Sequence, residues 1–311
     1  MKAIIRDGGA RSGLALADLP EPARPARGQV LVRMKLAPIN PADRLAAAGN
    51  YAPLDGLAGP LGAEGMGVVE EVGVGVAGLA PGDHVILLSR GNWAERRLVA
   101  AAEVLPVAAA LPPAQAAILR INPATAFHLL ASLDLAPGDW LILNAAGSSV
   151  ARWVRRLAAR NGVRTLNVVR AGPAGEEGGL WLVDGDDLAT RAGPAAGGAP
   201  IHAALDAVAG ASTGGLAACL APGGRLLVYG HLSGQPCAIP SALLTTKGLR
   251  VQGFSLRPVE AHVPDLAALY ADLATLAAKD PEPIAAILPM AEVEAALAQP
   301  PRGRVLLALD R

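Results

Sequence analysis

The chain has 311 residues, of which 52% are hydrophobic and 17% charged, and its formal net charge is zero. This length suits about two domains, and the apolar content excludes global disorder because a sizeable core can be buried. A sequence-independent nucleic-acid surface is not expected, since the sequence has no basic block or tail.

Targeting and membrane-spanning segments are not expected either. The N-terminal MKAIIRDGGA reaches Asp and Gly before a signal-peptide core could form, and VLPVAAALPPAQAAIL contains three prolines, too many for a membrane helix. The two cysteines, Cys219 and Cys237, lack the spacing of a zinc site or a disulfide framework. Their small number fits the reducing cytoplasm, where we expect the protein to reside.

Residues 1 to about 112 contain short β-rich runs separated by Gly and Pro turns. MKAIIR, QVLVRMKLAPI, GMGVVEEVG and HVILL predict strands, and LAPGDHV predicts a turn that leads into a strand. The segment is therefore expected to form an all-β module.

From Leu111 the periodicity becomes helical, with PPAQAAILRINPATAFHLLASL beginning near Pro112 and Pro113. WLILNA is uniformly apolar, as expected of a parallel strand covered on both faces. A small-residue turn, an amphipathic helix and the strand RTLNVVR complete a βαβ unit with an expected right-handed crossover.

The remaining segments predict more strands and one long helix. AALDAVAG, GGRLLVYG and LRVQGFSL are strand candidates, whereas residues 171–200 are expected to be a loop with one short strand, LWLV. DLAALYADLATLAAKD is expected to be the last helix, and GRVLLAL a final strand that rejoins the N-terminal module.

The turn NAAGSSVARWV follows the strand WLILNA and begins a helix. Unpaired N–H groups and the helix dipole favour an anion there, as in the G-x-G-x-x-G turn that binds a dinucleotide pyrophosphate. Only Gly147 remains of that pattern, because Ser149 and Ala151 replace glycines. The alternative is an ordinary strand-to-helix turn. Arg170, which ends the second strand, favours a 2′-phosphate and hence NADP over NAD, unless it is simply a solvated arginine.

The order INPAD, GNY, GAEGMGVVEEVG, PGDHV, INPATAF, NAAGSSV, NVVR, GGRLLVYG and GFSL resembles the medium-chain dehydrogenase/reductase superfamily. Within it, the chain resembles the zinc-independent, mitochondrial-type trans-2-enoyl-thioester reductases and, more distantly, quinone oxidoreductases. The resemblance implies an α/β fold: a Rossmann doubly wound parallel sheet inserted into a β-rich GroES-like catalytic domain. The expected limits are 1–115 completed by 256–311 for the catalytic domain, and 116–255 for the dinucleotide-binding domain.

The resemblance also implies chemistry without a metal. Zinc-dependent relatives hold a Cys near the position of Asn40 and a His-Glu pair at Ala63 and Glu64, and neither a thiolate nor an imidazole is present here. The implied catalytic group is Tyr51, whose phenol would hydrogen-bond to the enolate or supply a proton. Trp93 matches a tryptophan beside the substrate cleft. The alternatives are a surface or wall tyrosine for Tyr51 and simple packing for Trp93.

The implied cofactor is NADPH. By resemblance, its contacts are Asn40, Asn122, Thr125, Asn144, Gly147, Ser148, Ser149, Val150, Arg170, Tyr229, Gly230, Phe254, Ser255 and Leu256. The basic residue that the family carries near its C-terminus has no certain equivalent, because Arg302 and Arg304 flank its position. Strand-end packing is the alternative for Tyr229 and Gly230 and for the residues at 254–256.

Three functions are open at this point. The first is NADPH-dependent reduction of an activated C=C bond in a small-molecule unsaturated acyl thioester, by a homodimer. The second is reduction of a quinone or an alkenal. The third is a non-catalytic scaffold, suggested by Ser149, Ala151 and an apparent shortening of the helix between Arg170 and Asp184.

Overall fold

The computed structural model describes residues 1–6, 13–49, 59–171, 179–298 and 303–310. The chain divides into two compact units, Met1–Ile121 with Pro264–Arg311 and Asn122–Val263. The expected domain limits of 1–115 with 256–311, and 116–255, stay a prediction about the functional domains.

The first unit begins with seven strands and two short helices. These are β1 Lys2–Arg6, β2 Leu14–Asp18, β3 Gln29–Pro38, α1 Pro41–Ala47, β4 Met66–Val72, β5 His84–Leu87, β6 Arg96–Ala100, β7 Val104–Pro106 and α2 Pro113–Ala117. The expectation of an all-β module was therefore wrong at α1. Pro41 at the first helical position and Asp43 in the first turn start this helix, since Pro lacks only an N–H that would have no partner there.

The second unit carries the parallel sheet. Its elements are α3 Ile121–Ala131 (whose first residue belongs to the first unit), β8 Trp140–Leu143, α4 Ser149–Arg160, β9 Arg164–Val169, β10 Leu180–Val183, α5 Leu188–Ala195, β11 Ile201–Asp206, α6 Ala211–Cys219, β12 Arg225–Val228, α7 Ser241–Lys247, β13 Arg250–Gly253 and α8 Leu256–Glu260. The chain then returns to the first unit with α9 Leu266–Lys279, β14 Ile284–Pro289, α10 Val293–Ala298 and β15 Arg304–Ala308.

The first unit holds a two-stranded sheet, β1-β2, and a seven-stranded sheet in the order β14-β15-β3-β4-β5-β7, with β6 paired to β3. The predicted return of the last strand is confirmed, because β15 pairs antiparallel with β3 and Leu307 lies opposite Ala37. Gly67 in β4 permits a close approach, since a Cβ there would lie 2.4 Å from the carbonyl oxygen of Arg33. The predicted turn before β5 is also confirmed, with Gly82 at a φ of +95°.

The six strands of the second unit run parallel in the order β10-β9-β8-β11-β12-β13. This is the Rossmann strand order. All six strands point the same way, but the order in which the chain adds them across the sheet reverses between β8 and β11. All four residues of β8 are buried, as the uniformly apolar run predicts for a central parallel strand. The predicted fold class is thus confirmed.

Two local predictions were wrong, and a third was incomplete. The helical periodicity after Pro112 is confirmed, but the run forms two helices, α2 and α3, and Pro123 lies in the first turn of the second, where its missing N–H costs little. Residues 171–200 contain the helix α5, held by a paired Asp187 and Arg191 and by the buried Leu188 and Ala192. The helix α9 is followed by α10, so it is not the last.

Among the described residues, no helix combines the length and the apolar character needed to cross a membrane.

The pairing of β15 with β3 generates a test of how the first unit closes. Leu307→Ala removes a side chain that is fully buried, and we expect it to lower the free energy of unfolding by about 2–5 kcal/mol. Ile287→Ala on the neighbouring β14, where the side chain is 48% exposed, should cost less than about 1 kcal/mol. Urea unfolding followed by circular dichroism measures both, and equal losses would contradict the assigned role of β15.

Candidate active site

The turn between β8 and α4 has the geometry of an anion-binding site. Ser148 is the N-cap of the 12-residue α4, and its Oγ accepts the N–H of Ala151 at 3.3 Å. A Cβ built on Gly147 would meet no atom within 4 Å, so the space beside the turn is open. The first N–H groups of the helix and its dipole favour a negative group there.

The two residues that replace glycines do not obstruct this space. Ser149 is tied to α3, since its Oγ accepts the side-chain amide of Asn122 at 2.8 Å. Ala151 is fully buried, so its methyl group packs in the interior of the unit and away from the open side of the turn. Thr125, one turn after Asn122 on α3, is buried as well.

Asn144 holds the turn in place with its side chain. Its Nδ2 donates to Oδ1 of Asp206 at 2.6 Å and to Oγ of Ser212 at 3.1 Å, and its Oδ1 accepts the N–H of Ala207 at 2.8 Å. With these bonds the amide is used inside the protein. Asn144 therefore shapes the end of β8, and its predicted role as a cofactor contact has no support from these contacts.

Asp206, at the carboxyl end of β11, is a residue that the sequence reasoning missed. It is fully buried, and its carboxylate accepts the N–H groups of Val208 and Ala209 at 2.8 and 2.9 Å and the hydroxyl of Thr213 at 2.5 Å, besides Asn144. A carboxylate at the end of the apolar run AALD was the available signal. Such a group must be fully hydrogen-bonded when it is buried, so it fixes the loop that follows β11.

The predicted residues after β12 and β13 lie at the same edge of the sheet. The N–H of Tyr229 bonds to the carbonyl oxygen of Asp206 at 2.9 Å, and the N–H of Phe254 bonds to that of Val228 at 2.8 Å. Burial raises the pKa of the Tyr229 phenol, whereas the nearby Ser148 hydroxyl acts in the opposite direction. This phenol is thus neutral and lies close to the N-cap of α4.

The other members of this group differ in exposure. Gly230 approaches the backbone of Ala207, where an added Cβ would lie 2.8 Å from the carbonyl oxygen. Ser255 is exposed, whereas Leu256 and Val150, the second residue of α4, are half-buried. The sheet thus brings the ends of β8, β11, β12 and β13 to one edge, where ligands bind in open α/β sheets.

Arg170 follows β9 directly and is exposed at this edge. A second arginine, Arg155, was not singled out by the sequence. It donates to the carbonyl oxygen of Ala146 at 2.6 Å and lies 4.9 Å from the ring centre of Trp181, so it braces the turn against β10. The expected shortening after Arg170 falls largely on residues 172–178, outside the described residues.

The first unit contains a buried polar cluster. Glu64 Oε1 accepts the amide of Asn40 at 3.0 Å and lies 3.3 Å from Nη2 of Arg304, which also donates to Oδ1 of Asn40 at 3.0 Å. Glu64 Oε2 accepts the N–H of Ile121 at 2.7 Å. Arg304, near the C-terminus, is thus part of this cluster, whereas Arg302 lies outside the described residues. Both polar atoms of the Asn40 side chain, a predicted cofactor contact, are bonded within this cluster.

Asp43 adds a second carboxylate beside this cluster. Its Oδ2 accepts the N–H of Asn40 at 2.9 Å and so completes the start of α1. Burial raises the pKa of Asp43 to about 6, and the negative charge of Glu64 acts in the same direction. Burial also raises the pKa of Glu64, against the lowering effect of Arg304. For both carboxyl groups, burial thus shifts the protonation equilibrium towards the neutral form.

The two predicted catalytic residues fare differently. Trp93 is fully buried within the hydrophobic core of the first unit, and its indole N–H donates to the carbonyl oxygen of Pro38 at 3.2 Å. Gly62 leaves room for the ring, since a Cβ there would lie 2.5 Å from it. These are the contacts of a packing residue, and a role at the substrate cleft stays a prediction. Tyr51 lies outside the described residues.

Within the described ranges, no group of three or more His, Cys, Asp or Glu side chains is arranged to hold a metal ion. The position of Asn40 is taken up by the cluster with Glu64 and Arg304.

Comparison with known proteins agrees with this architecture. Residues 26–109 match the alcohol dehydrogenase GroES-like domain. The mitochondrial enoyl-[acyl-carrier-protein] reductase of Bos taurus is 34% identical over 255 residues, which cover 76% of this chain and 67% of the relative. The corresponding protein of Dictyostelium discoideum is 35% identical over 248 residues, which cover 73% and 69%.

Solved structures share the complete fold. A Bacillus thuringiensis protein assigned as an NADPH:quinone reductase is 28% identical, with a TM-score of 0.89 over 99% of this chain and 98% of that one. The Etr1p complex with NADP and crotonyl-CoA is 23% identical, with a TM-score of 0.84 over 99% of both chains. The chain therefore belongs to the medium-chain dehydrogenase/reductase superfamily, in the group that includes the mitochondrial enoyl-[acyl-carrier-protein] reductases.

Proposed function

We propose that the protein is an NADPH-dependent reductase of an activated C=C bond, acting on a trans-2-enoyl thioester. The observation that carries this proposal is the open turn at Gly147, capped by Ser148 and braced by Asn144. It offers a helix N-terminus to a pyrophosphate at the reversal point of a Rossmann sheet. The identity with enoyl-[acyl-carrier-protein] reductases supports the choice of substrate.

The residues of the chain fit the cofactor. The cradle at Gly147 has room for a phosphate, and the exposed Arg170 at the end of β9 suits a 2′-phosphate. When bound, NADPH supplies a hydride to the β-carbon of the enoyl group, and a proton completes the reduction at the α-carbon. Asn122, Thr125, Tyr229 and the residues at 254–256 would line the nicotinamide side of the site.

Tyr51 is the proposed acid. Hydride addition to the β-carbon moves negative charge to the thioester oxygen, and a phenol can hydrogen-bond to this enolate or supply the proton. α1 ends at Ala47, four residues before Tyr51 in the sequence. The start of α1, at Asn40 and Asp43, is thereby a described anchor that precedes the proposed catalytic segment in the chain.

A second candidate function is the reduction of a quinone, which the Bacillus thuringiensis structure favours with its TM-score of 0.89. Quinone reduction requires no dedicated proton donor in the protein. The two reactions therefore differ in their dependence on Tyr51.

We expect Tyr51→Phe to lower kcat for crotonyl thioester at least about 100-fold, because the enolate loses its hydrogen-bond donor, and to leave quinone reduction within about threefold. The measurement is NADPH oxidation with each acceptor in parallel. Equal losses with both acceptors would rule out the acid role.

The scaffold alternative is decided in the same preparation by the fluorescence of NADPH. The absence of a saturable change up to millimolar cofactor would remove the proposed enzyme function altogether.

We expect Arg170→Ala to raise the Kd for NADPH at least about tenfold while the Kd for NADH changes little, because only NADPH carries the 2′-phosphate. Arg164→Ala, at the other end of β9, is the matched control and should leave the ratio of the two constants unchanged. Fluorescence titration measures both. A ratio unaffected by Arg170→Ala would refute the assignment of this arginine.

We also propose that two copies pair through β13. All four residues of this edge strand are exposed, including Val251 at 39%, and Leu244 of the adjoining α7 is 36% exposed. An exposed edge of this kind is a template for pairing with another strand. A cytoplasmic location fits the two free cysteines, Cys219 and Cys237.

Val251→Lys should shift the dimer to the monomer, because a charge on the edge strand opposes strand pairing. Val183→Lys on β10, the opposite edge of the same sheet, should leave the dimer intact, although Val183 is 42% exposed. Analytical ultracentrifugation distinguishes the two. A wild type that is monomeric at micromolar concentration would disprove the pairing.

A further inference from the structure

The cluster of Glu64, Arg304 and Asn40 is more than a buried ion pair. The three side chains are 0%, 7% and 2% exposed, and each is bonded to the other two. A buried carboxylate and guanidinium cost desolvation energy, and replacing such a pair by apolar residues is often neutral or stabilising. Its contribution to stability alone is therefore a weak reason for the arrangement.

The cluster reaches two backbone positions that precede predicted functional residues. Asn40 is the N-cap of α1, which leads towards Tyr51. Glu64 accepts the N–H of Ile121, the first residue of α3, and Asn122 follows directly. The ion pair of Glu64 and Arg304 is thus bonded to Asn40, where α1 begins, and to Ile121, where α3 begins.

The hydrogen bonds of the cluster restrain Glu64 from several directions. Glu64 uses Oε2 for the backbone of Ile121 and Oε1 for Asn40 and Arg304, so its carboxylate is fixed in both position and orientation. Arg304 belongs to β15, which is paired with β3, and this anchors the cluster to the central sheet of the first unit. The arrangement leaves the start of α1 little freedom to shift.

We propose that Glu64, Arg304 and Asn40 are positioning residues of the reductase: they hold the start of α1 and the first residue of α3 where the hydride-transfer step requires them. This inference rests on the proposed function. Displacements of about 1 Å can lower the rate of an enzyme about 100-fold, so the effect of the cluster falls on kcat. NADPH affinity, which depends on the turn at Gly147 in the other unit, stays unchanged.

The charged groups around Glu64 determine how the removal of Arg304 changes the pKa of Glu64. Arg304 from β15 and Arg120 from the segment before α3 lower the pKa of Glu64, whereas burial raises it. Asp43 from α1 adds a negative charge nearby. Without Arg304, the pKa of the buried Glu64 rises further. Because a raised pKa in the folded state stabilises the protonated form, stability is then kept at low pH and lost as the pH rises through that pKa.

The experiment compares Arg304→Met, Glu64→Gln and the double variant with the wild type. Arg304→Met should have a melting temperature and a kcat that fall with rising pH over a range in which the wild type is flat. Arg304→Lys keeps the charge and should restore the flat profile. In the double variant neither Glu64 nor Arg304 leaves an unpaired charge, so the protein should fold as the wild type does. Above the pKa of Asp43, about 6, its profile should be as flat as that of the wild type.

The double variant decides between positioning and mere stability. We expect its kcat to be lowered at least about tenfold at every pH, with the Kd for NADPH within about twofold of the wild type. The control is the partly exposed pair of Lys35, within β3, and Asp310, which follows β15, whose charged atoms lie 2.5 Å apart. Lys35→Met with Asp310→Asn should leave kcat unchanged.

Two failures are distinguishable. A wild type that oxidises no NADPH with thioester or quinone would overturn the proposed function, and this inference with it. A wild type that works, together with a stable double variant of undiminished kcat, would overturn only the positioning role.

Discussion

A polar group that is buried must find its hydrogen-bond partners inside the protein, and this constraint shapes both units. In the second unit the carboxylate of Asp206 accepts hydrogen bonds from two backbone N–H groups, a hydroxyl and the side-chain amide of Asn144. In the first unit the carboxylate of Glu64 accepts hydrogen bonds from the side chains of Asn40 and Arg304 and from the N–H of Ile121. An unpaired charge in either place would cost several kcal/mol by general estimates, so each acid fixes the backbone around it. Of the candidate functional residues, Asn144 and Asn40 are held directly by these two acids.

The turn at Gly147 shows how such support permits an altered sequence. Glycines in a dinucleotide turn serve close backbone approach and the packing of helix against sheet. Here the packing position is taken by Ala151, whose methyl group is accommodated inside the unit, and Ser149 is bonded to Asn122. The side that remains open is the side of Gly147. The replacements therefore leave the cradle intact, which weakens the argument for a scaffold that has lost its cofactor.

The sequence errors have a common origin. α5 contains Gly193 and Pro194, which lower its intrinsic helix preference, and it is stabilised by the burial of Leu188 and Ala192 and by its bonds between Asp187 and Arg191. The break between α2 and α3 is equally a matter of context, since the continuous apolar periodicity allowed one long helix. Local patterns record average preferences, whereas packing in the folded protein decides marginal segments.

The sequence by itself determined the class of fold, the parallel strands, the turn between β8 and α4 and the return of the last strand to the first unit, because hydrophobic period and turn chemistry are local properties. It could not determine that the side-chain amides of Asn144 and Asn40 bond to Asp206 and Glu64, or that Arg304 joins the buried cluster. Those pairings join residues up to 264 positions apart. Only tertiary structure decides them, because a buried polar group selects its partner by distance and direction and leaves no local pattern in the sequence.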